Sequence, residues 1–237
     1  MVTEQGYNER LFKGRGLRNY LHCARFRWTN NVINEFCIPC NSVIEIGCFD
    51  GKLIDWLPVK PIRYVGIDAN VEGGMDLAVK RFENKESYTL LKTDNPDALD
   101  VLGNEYFTLG VAMETLEHIE DKTVIKYLYK LSKLVDGYIL ITVPNEKGIV
   151  FLSKWLFKKL FYSDAEKYTF AELLAATLGN MSKVERNQHK GFDYCILLKN
   201  LGEYFDIIRV DAIPIKNLGH SLAFNIGIIA KTKYKYL

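Results

Sequence analysis

Short apolar runs of strand length recur along the chain at residues 43–46, 64–67, 88–91, 107–112 and 138–143, each continuous enough for burial on both faces. Stretches of helical period lie between them, notably 53–57, 77–82 and 122–134. Strands alternating with helices predict a parallel sheet with right-handed crossovers. After Pro144 the rhythm breaks: residues 146–190 hold several helical pieces and no convincing strand, with punctuation at Gly179-Asn180 and near Gly191. A helical stretch at 194–201 and two closing strands at 205–212 and 223–230 complete the pattern. Residues 1–40 read as a helical, basic and aromatic preface containing Tyr20, Phe26, Arg27 and Trp28. Within it, Asn30 is placed to cap a helix over 31–36, whose Val32, Ile33 and Phe36 recur at helical spacing. The expected organisation is an N-terminal helical extension over 1–40 and one domain over 41–237, with a cap at about 146–190.

Composition narrows the class. At 237 residues, 48% hydrophobic and 25% charged, the chain suits one well-filled α/β domain and is too apolar for disorder. A formal net charge of +2 gives the whole molecule no strong attraction to nucleic acid, although residues 9–27 are rich in Arg and Lys. The first residues are too polar for a signal peptide, and no apolar run approaches the ~20 residues that cross a bilayer. A cytoplasmic location is expected. The five cysteines are odd in number and scattered; Cys37-Ile-Pro-Cys40 lacks the second pair of a zinc site, so a small apolar role is preferred.

The sharpest local signal is Val43-Ile-Glu-Ile-Gly-Cys-Phe-Asp-Gly51, a buried strand running into a glycine loop and then a helix. Gly47 permits a tight turn off the strand and Gly51 a close backbone approach. About twenty residues on, the second strand ends in Val65-Gly-Ile-Asp68, where a carboxylate can accept both hydroxyls of a ribose. A dinucleotide fingerprint would read G-x-G-x-x-G. Here Glu45 precedes Gly47-x-x-x-Gly51, and an acid on the strand repels pyrophosphate but suits an ammonium group. A P-loop also matches poorly, because Leu53 stands where a Ser or Thr would hold Mg²⁺. Nucleotide phosphate is disfavoured.

These motifs, in their order, resemble motif I and its followers in the class I S-adenosylmethionine-dependent methyltransferases, over roughly residues 40–145. The resemblance implies a Rossmann-like α/β fold: a seven-stranded, mostly parallel sheet with helices on both faces and one antiparallel strand near the C-terminus. A helical cap would be inserted after strand five. It also implies that Glu45, Gly47 and Gly51 line the methionine end of the cofactor and Asp68 its ribose, with Cys48, Phe49, Asp50 and Ala69 as further cofactor-binding residues. Asp94 would meet the adenine and Met113 would flank the site.

After strand four comes Glu114-Thr-Leu-Glu117-His118, and three- and four-residue spacing puts these side chains on one face of a helical turn. Two functional readings are open beside a structural one. His118 can act as general base on an acceptor hydroxyl. Alternatively Glu114, Glu117 and His118 can ligate Mg²⁺ or another divalent metal that polarises the acceptor oxygen. The Glu-x-x-Glu-His pattern resembles the metal motif of ubiquinone-pathway O-methyltransferases and small-RNA 2′-O-methyltransferases; the latter also use a distant His, for which His189 is the candidate. In the structural reading, these residues cap a helix and order the cofactor loop.

Farther along, Asn145 is expected at the mouth of the site, with Asn187 and Tyr194 as lesser candidates. Residues 151–161 form a basic amphipathic segment with three readings: core packing, a substrate lid, or a face that lies on anionic lipid. The resemblance implies an enzyme, and His118 favours O-methylation of a hydroxyl on a small molecule or a sugar or polysaccharide. The alternatives are an RNA methyltransferase and a non-catalytic cofactor-fold partner protein.

Overall fold

The computed structural model describes residues 16–161, 167–187, 189–217 and 219–233; the first part of the expected N-terminal extension lies outside them. Seven strands form one sheet in the order β3-β2-β1-β4-β5-β7-β6. They are β1 (Ser42–Ile46), β2 (Arg63–Asp68), β3 (Tyr88–Lys92), β4 (Phe107–Met113), β5 (Val135–Pro144), β6 (Phe205–Ile213) and β7 (Asn225–Thr232). β7 runs antiparallel to both β5 and β6, whereas the pairings among β1 to β5 are parallel. Strand order reverses between β1 and β4, which opens a crevice at their carboxyl ends.

The helices are α1 (Leu17–Glu35), α2 (Gly74–Arg81), α3 (Asp121–Leu134), α4 (Gly148–Phe161), α5 (Phe170–Thr177) and α6 (Tyr194–Tyr204). Alternation along β1 divides the core: Ile44 and Ile46 pack with Leu128 and Leu131 of α3 and Leu201 of α6. Val43 faces the other side with Phe26, Val32 and Ile33 of α1 and Met75 of α2. α3 earns its helix through Val124, Tyr127, Leu128, Leu131 and Leu134, all buried at helical spacing, with Asp121 in its first turn and Lys133 in its last.

α1 begins well before the expected 31–36, because no Gly or Pro interrupts residues 17–35. Asn30 is therefore inside the helix and caps nothing; its amide donates to the Trp56 carbonyl at 2.6 Å. α1 stands on the C-terminal hairpin. The Trp28 indole donates to Asp211 at 2.9 Å, its ring lies against Gly227, and the Arg209 guanidinium holds Glu35 at 2.6 and 2.9 Å.

Between Gly51 and Pro58 the expected helix shrinks to a 3₁₀ turn, Lys52–Asp55, since Pro58 excludes a helical conformation for Leu57. The cap after β5 comprises α4, α5 and a turn at Met181–Lys183, with a small core of Phe151, Ala175, Ala176, Met181 and Val184. Thr169 and Glu172 form a reciprocal capping box at the start of α5. Cys37 is exposed and Cys40 buried, and both are free thiols.

Candidate active site

The loop after β1 holds three residues of positive φ: Gly47 at 72°, Phe49 at 48° and Gly51 at 67°. A side chain at Gly47 would strike Thr115, which follows β4. The loop's amides are already committed. Gly47 and Cys48 donate to the Ile67 carbonyl at 2.7 and 3.1 Å, Phe49 donates to Asp68 at 3.0 Å, and Gly51 donates to Cys48 at 2.8 Å. The amides of these four residues are thus spent on holding the loop rather than on cradling a phosphate.

A cleft of about 1070 Å³ opens at the carboxyl ends of β1, β2 and β4, large for a single drug-sized ligand. Glu45, Gly47, Cys48, Phe49, Asp50, Asp68, Ala69, Asp94 and Met113 all line it. Gly51 does not. Its missing Cβ makes room for the Phe82 ring, so its task is packing. Asp68 also accepts the Asn70 amide at 2.7 Å, and each of its oxygens keeps a lone pair for a ligand hydroxyl. Glu45 is buried and accepts the Tyr64 hydroxyl at 2.5 Å; burial pushes its carboxyl up to about 8. Acidic side chains lining the cleft outnumber basic ones by eight (Glu45, Asp50, Asp68, Glu72, Asp94, Glu114, Glu117, Glu120) to three (Arg25, Lys52, Lys126), and burial pushes Glu45, Glu114 and Glu117 of the eight toward their neutral forms.

At one end of the cleft Glu117, His118 and His189 converge, each offering a ligand atom within 4.8 Å of the others. The two imidazoles meet edge to face with centroids 4.1 Å apart, and His118 Nε2 is 3.9 Å from Glu117 Oε1. Glu117 is fully buried, and among the described residues neither of its oxygens has a hydrogen-bond partner; His189 Nδ1 has none either. Burial, then the neighbouring Glu114, holds the Glu117 carboxyl well above the usual range. Burial, then His118, pushes His189 down to about 3, and burial also lowers His118. Glu114 lines the same cleft in a left-handed conformation, φ 51°, anchored by its amide to the Thr142 carbonyl at 2.8 Å. It does not join the three-residue cluster. The set brought together is thus Glu117, His118 and His189, in place of the expected Glu114, Glu117 and His118.

Arg25 and Arg186 belong to the site region but were not singled out from the sequence. Arg25 reaches the cleft from α1, and its Nε is buried without a partner among the described residues. Arg186 donates to the Glu117 carbonyl at 2.8 Å, joining the loop that bears His189 to the one that bears Glu117. Asn145, expected at the mouth, is fully buried and donates to the carbonyls of His220 and Ala223, both at 3.0 Å. Asn187 and Tyr194 are not among the residues lining the cleft.

No family model and no curated protein sequence matches the chain. Solved structures do. An S-adenosylmethionine-dependent methyltransferase from Clostridium acetobutylicum ATCC 824 superposes with a TM-score of 0.61 at 13% identity, covering 91% of this chain and 92% of that one. The methyltransferase domain of bacterial CtHen1 gives 0.58 at 13% identity, over 89% and 99%. The N-methyltransferase NodS from Bradyrhizobium japonicum WM9, in complex with S-adenosylhomocysteine, gives 0.54 at 13% identity, over 98% and 90%. The chain has the Rossmann-like fold of the S-adenosylmethionine-dependent methyltransferases.

Proposed function

We propose that the chain is a methyltransferase that moves the methyl group of S-adenosylmethionine to a hydroxyl of a small molecule or glycan. The observation that carries the reading is the acidic cleft at the point where strand order reverses. A donor bearing a sulfonium and an ammonium gains from that field, whereas a pyrophosphate loses. Asp68 would take the ribose hydroxyls, Asp94 would lie at the adenine, and Glu45 would face the donor's ammonium, which would hold its carboxyl ionised. Arg25 is the group suited to the donor's carboxylate, since its buried Nε lacks a partner.

We also propose that Glu117, His118 and His189 hold a divalent cation, with Glu114 beside them. A buried carboxyl with two unpartnered oxygens beside two imidazoles of lowered pKa is a donor set that a cation satisfies. When bound, the cation would polarise the acceptor hydroxyl and lower its pKa. The protein's own part is to keep both imidazoles neutral, orient Glu117 through Arg186, and align acceptor and donor in line in a water-poor crevice. In a second reading His118, half exposed at the cleft, takes the hydroxyl proton directly.

Calorimetry with S-adenosylmethionine and S-adenosylhomocysteine, on wild type and Asp68→Ala, tests the donor site. Binding of about micromolar Kd, weakened about tenfold or more in Asp68→Ala, is expected. Absence of binding to either ligand would overturn the methyltransferase reading. Titration with Mg²⁺ or Mn²⁺ should give heat in wild type and little in Glu117→Gln or His189→Ala. Full activity in chelator would transfer the deprotonation to His118.

A further inference from the structure

β2 carries a side chain that acts on the cleft without lining it. Tyr64 and Gly66 lie two residues apart on one face of the strand, and Gly66 stands opposite Glu45 in the register with β1. A Cβ at Gly66 would lie 2.9 Å from the Tyr64 ring, 3.0 Å from its hydroxyl and 2.7 Å from Cys48 Sγ. The missing side chain thus leaves a track along which the ring leans, bringing its hydroxyl to Glu45 Oε2 at 2.5 Å. Tyr64 is fully buried, and the rings of Tyr88 and Phe82 pack on it with centroids 5.4 and 6.4 Å away, which fixes its aim. Glu45 lines the cleft, and its Oε1 takes no hydrogen bond from the described residues. We infer that Tyr64 is a positioning residue, a role that rests on the methyltransferase reading: its hydroxyl holds one oxygen of Glu45 and leaves the other turned to the ammonium of S-adenosylmethionine.

The surroundings of Glu45 decide where its proton sits. Asp50 of the loop and Asp68 of β2 disfavour a further anion beside them, whereas Arg25 of α1 favours one. The Cys48 thiol, held neutral by burial, adds no charge, and β4 sets the apolar Val111 beside Glu45 in register. Burial also holds the Tyr64 hydroxyl well above its usual range, so it stays protonated and keeps its bond. Burial outweighs that bond and pushes the Glu45 carboxyl up to about 8, leaving it neutral in the empty cleft. An arriving ammonium reverses the balance: the carboxyl proton leaves to solvent, and the carboxylate is shared between the ligand and the Tyr64 hydroxyl. Cofactor binding therefore expels a proton. Its affinity rises with pH, tenfold per unit at most, and levels off near pH 8.

The test is calorimetry of the full chain at pH 7 in two buffers of different ionisation enthalpy. The ligands are S-adenosylhomocysteine and 5′-methylthioadenosine, which keeps the adenine and ribose but has no ammonium. About one proton should be released with the first and almost none with the second. Tyr64→Phe keeps the ring and its packing and removes only the hydroxyl. It should weaken S-adenosylhomocysteine about tenfold and leave 5′-methylthioadenosine unchanged. It should also move the levelling of affinity above pH 8, because the bond that eases the proton off Glu45 is gone. Equal proton release with both ligands, or a Tyr64→Phe loss shared equally by both, overturns the inference, since the hydroxyl would then merely support the strand. S-adenosylhomocysteine binding without proton release also overturns it but leaves the methyltransferase reading standing; binding of neither ligand overturns both.

Discussion

Glu45 carries an unusual proton. Its carboxyl is pushed up to about 8, first by burial, while the Tyr64 hydroxyl bond pulls it back. A folded-state pKa raised above the unfolded value gives stability that is fully present below about 4.5 and is lost as pH rises through about 8. Without ligand, the protein should therefore weaken between pH 6.5 and 8.5, by at most about 1.4 kcal/mol per pH unit from this group. His189, pushed down to about 3, acts in the opposite sense, with stability lost as pH falls toward that value. Urea denaturation at pH 6.5, 7.5 and 8.5 should show a shallower loss in Glu45→Gln than in wild type; parallel slopes would place the proton elsewhere. Glu45 and Asp68 were legible in the sequence because each ends or interrupts a strand beside a glycine, a local pattern. Arg25 was not. Its relevance depends on α1 crossing the sheet, and nothing within a few residues of it announces that contact.

At the scale of elements, the loop of His189 is braced from two sides. Lys190 pairs with Glu172 at 2.7 Å, the Glu185 amide donates to the same carboxylate at 3.2 Å, and Arg186 ties the loop to the Glu117 carbonyl. Arg186→Ala should speed hydrogen exchange in residues 185–191 and leave the central strands protected. It should also weaken Mn²⁺ binding roughly tenfold, as loss of a group orienting a ligand does; unchanged exchange would show that Glu172 alone holds the loop. The strands themselves were readable, since β1, β4 and β5 are buried on both faces and their apolar runs are continuous. The 3₁₀ turn after the glycine loop was missed because periodicity at 53–57 outweighed Pro58. Asn145 was misplaced because the turn at 220–223, nearly eighty residues later, claims its side chain.

For the molecule as a whole, a net charge of +2 conceals a division of labour: the cleft is acidic, whereas the exposed charge on the cap helices is mostly lysine. Sequence composition averages the two and shows neither. The long-range ties also set an order of events. α1, the first described helix, rests on β6 and β7, and the Trp28–Asp211 bond spans 183 residues. Its docking surface does not exist until the last hairpin has paired, and contacts of such separation form slowly. The wall that carries Arg25 is therefore the last part of the cleft to be raised, although it precedes the rest of the cleft in sequence. Until that hairpin is made, the glycine loop after β1 stands in a cleft with one side missing. Refolding followed by ligand capture should show S-adenosylhomocysteine binding arriving with the slowest change in tryptophan fluorescence, and Trp28→Ala should delay that binding more than it lowers secondary structure. Competence, in such a chain, is a property acquired only once β6 and β7 have paired.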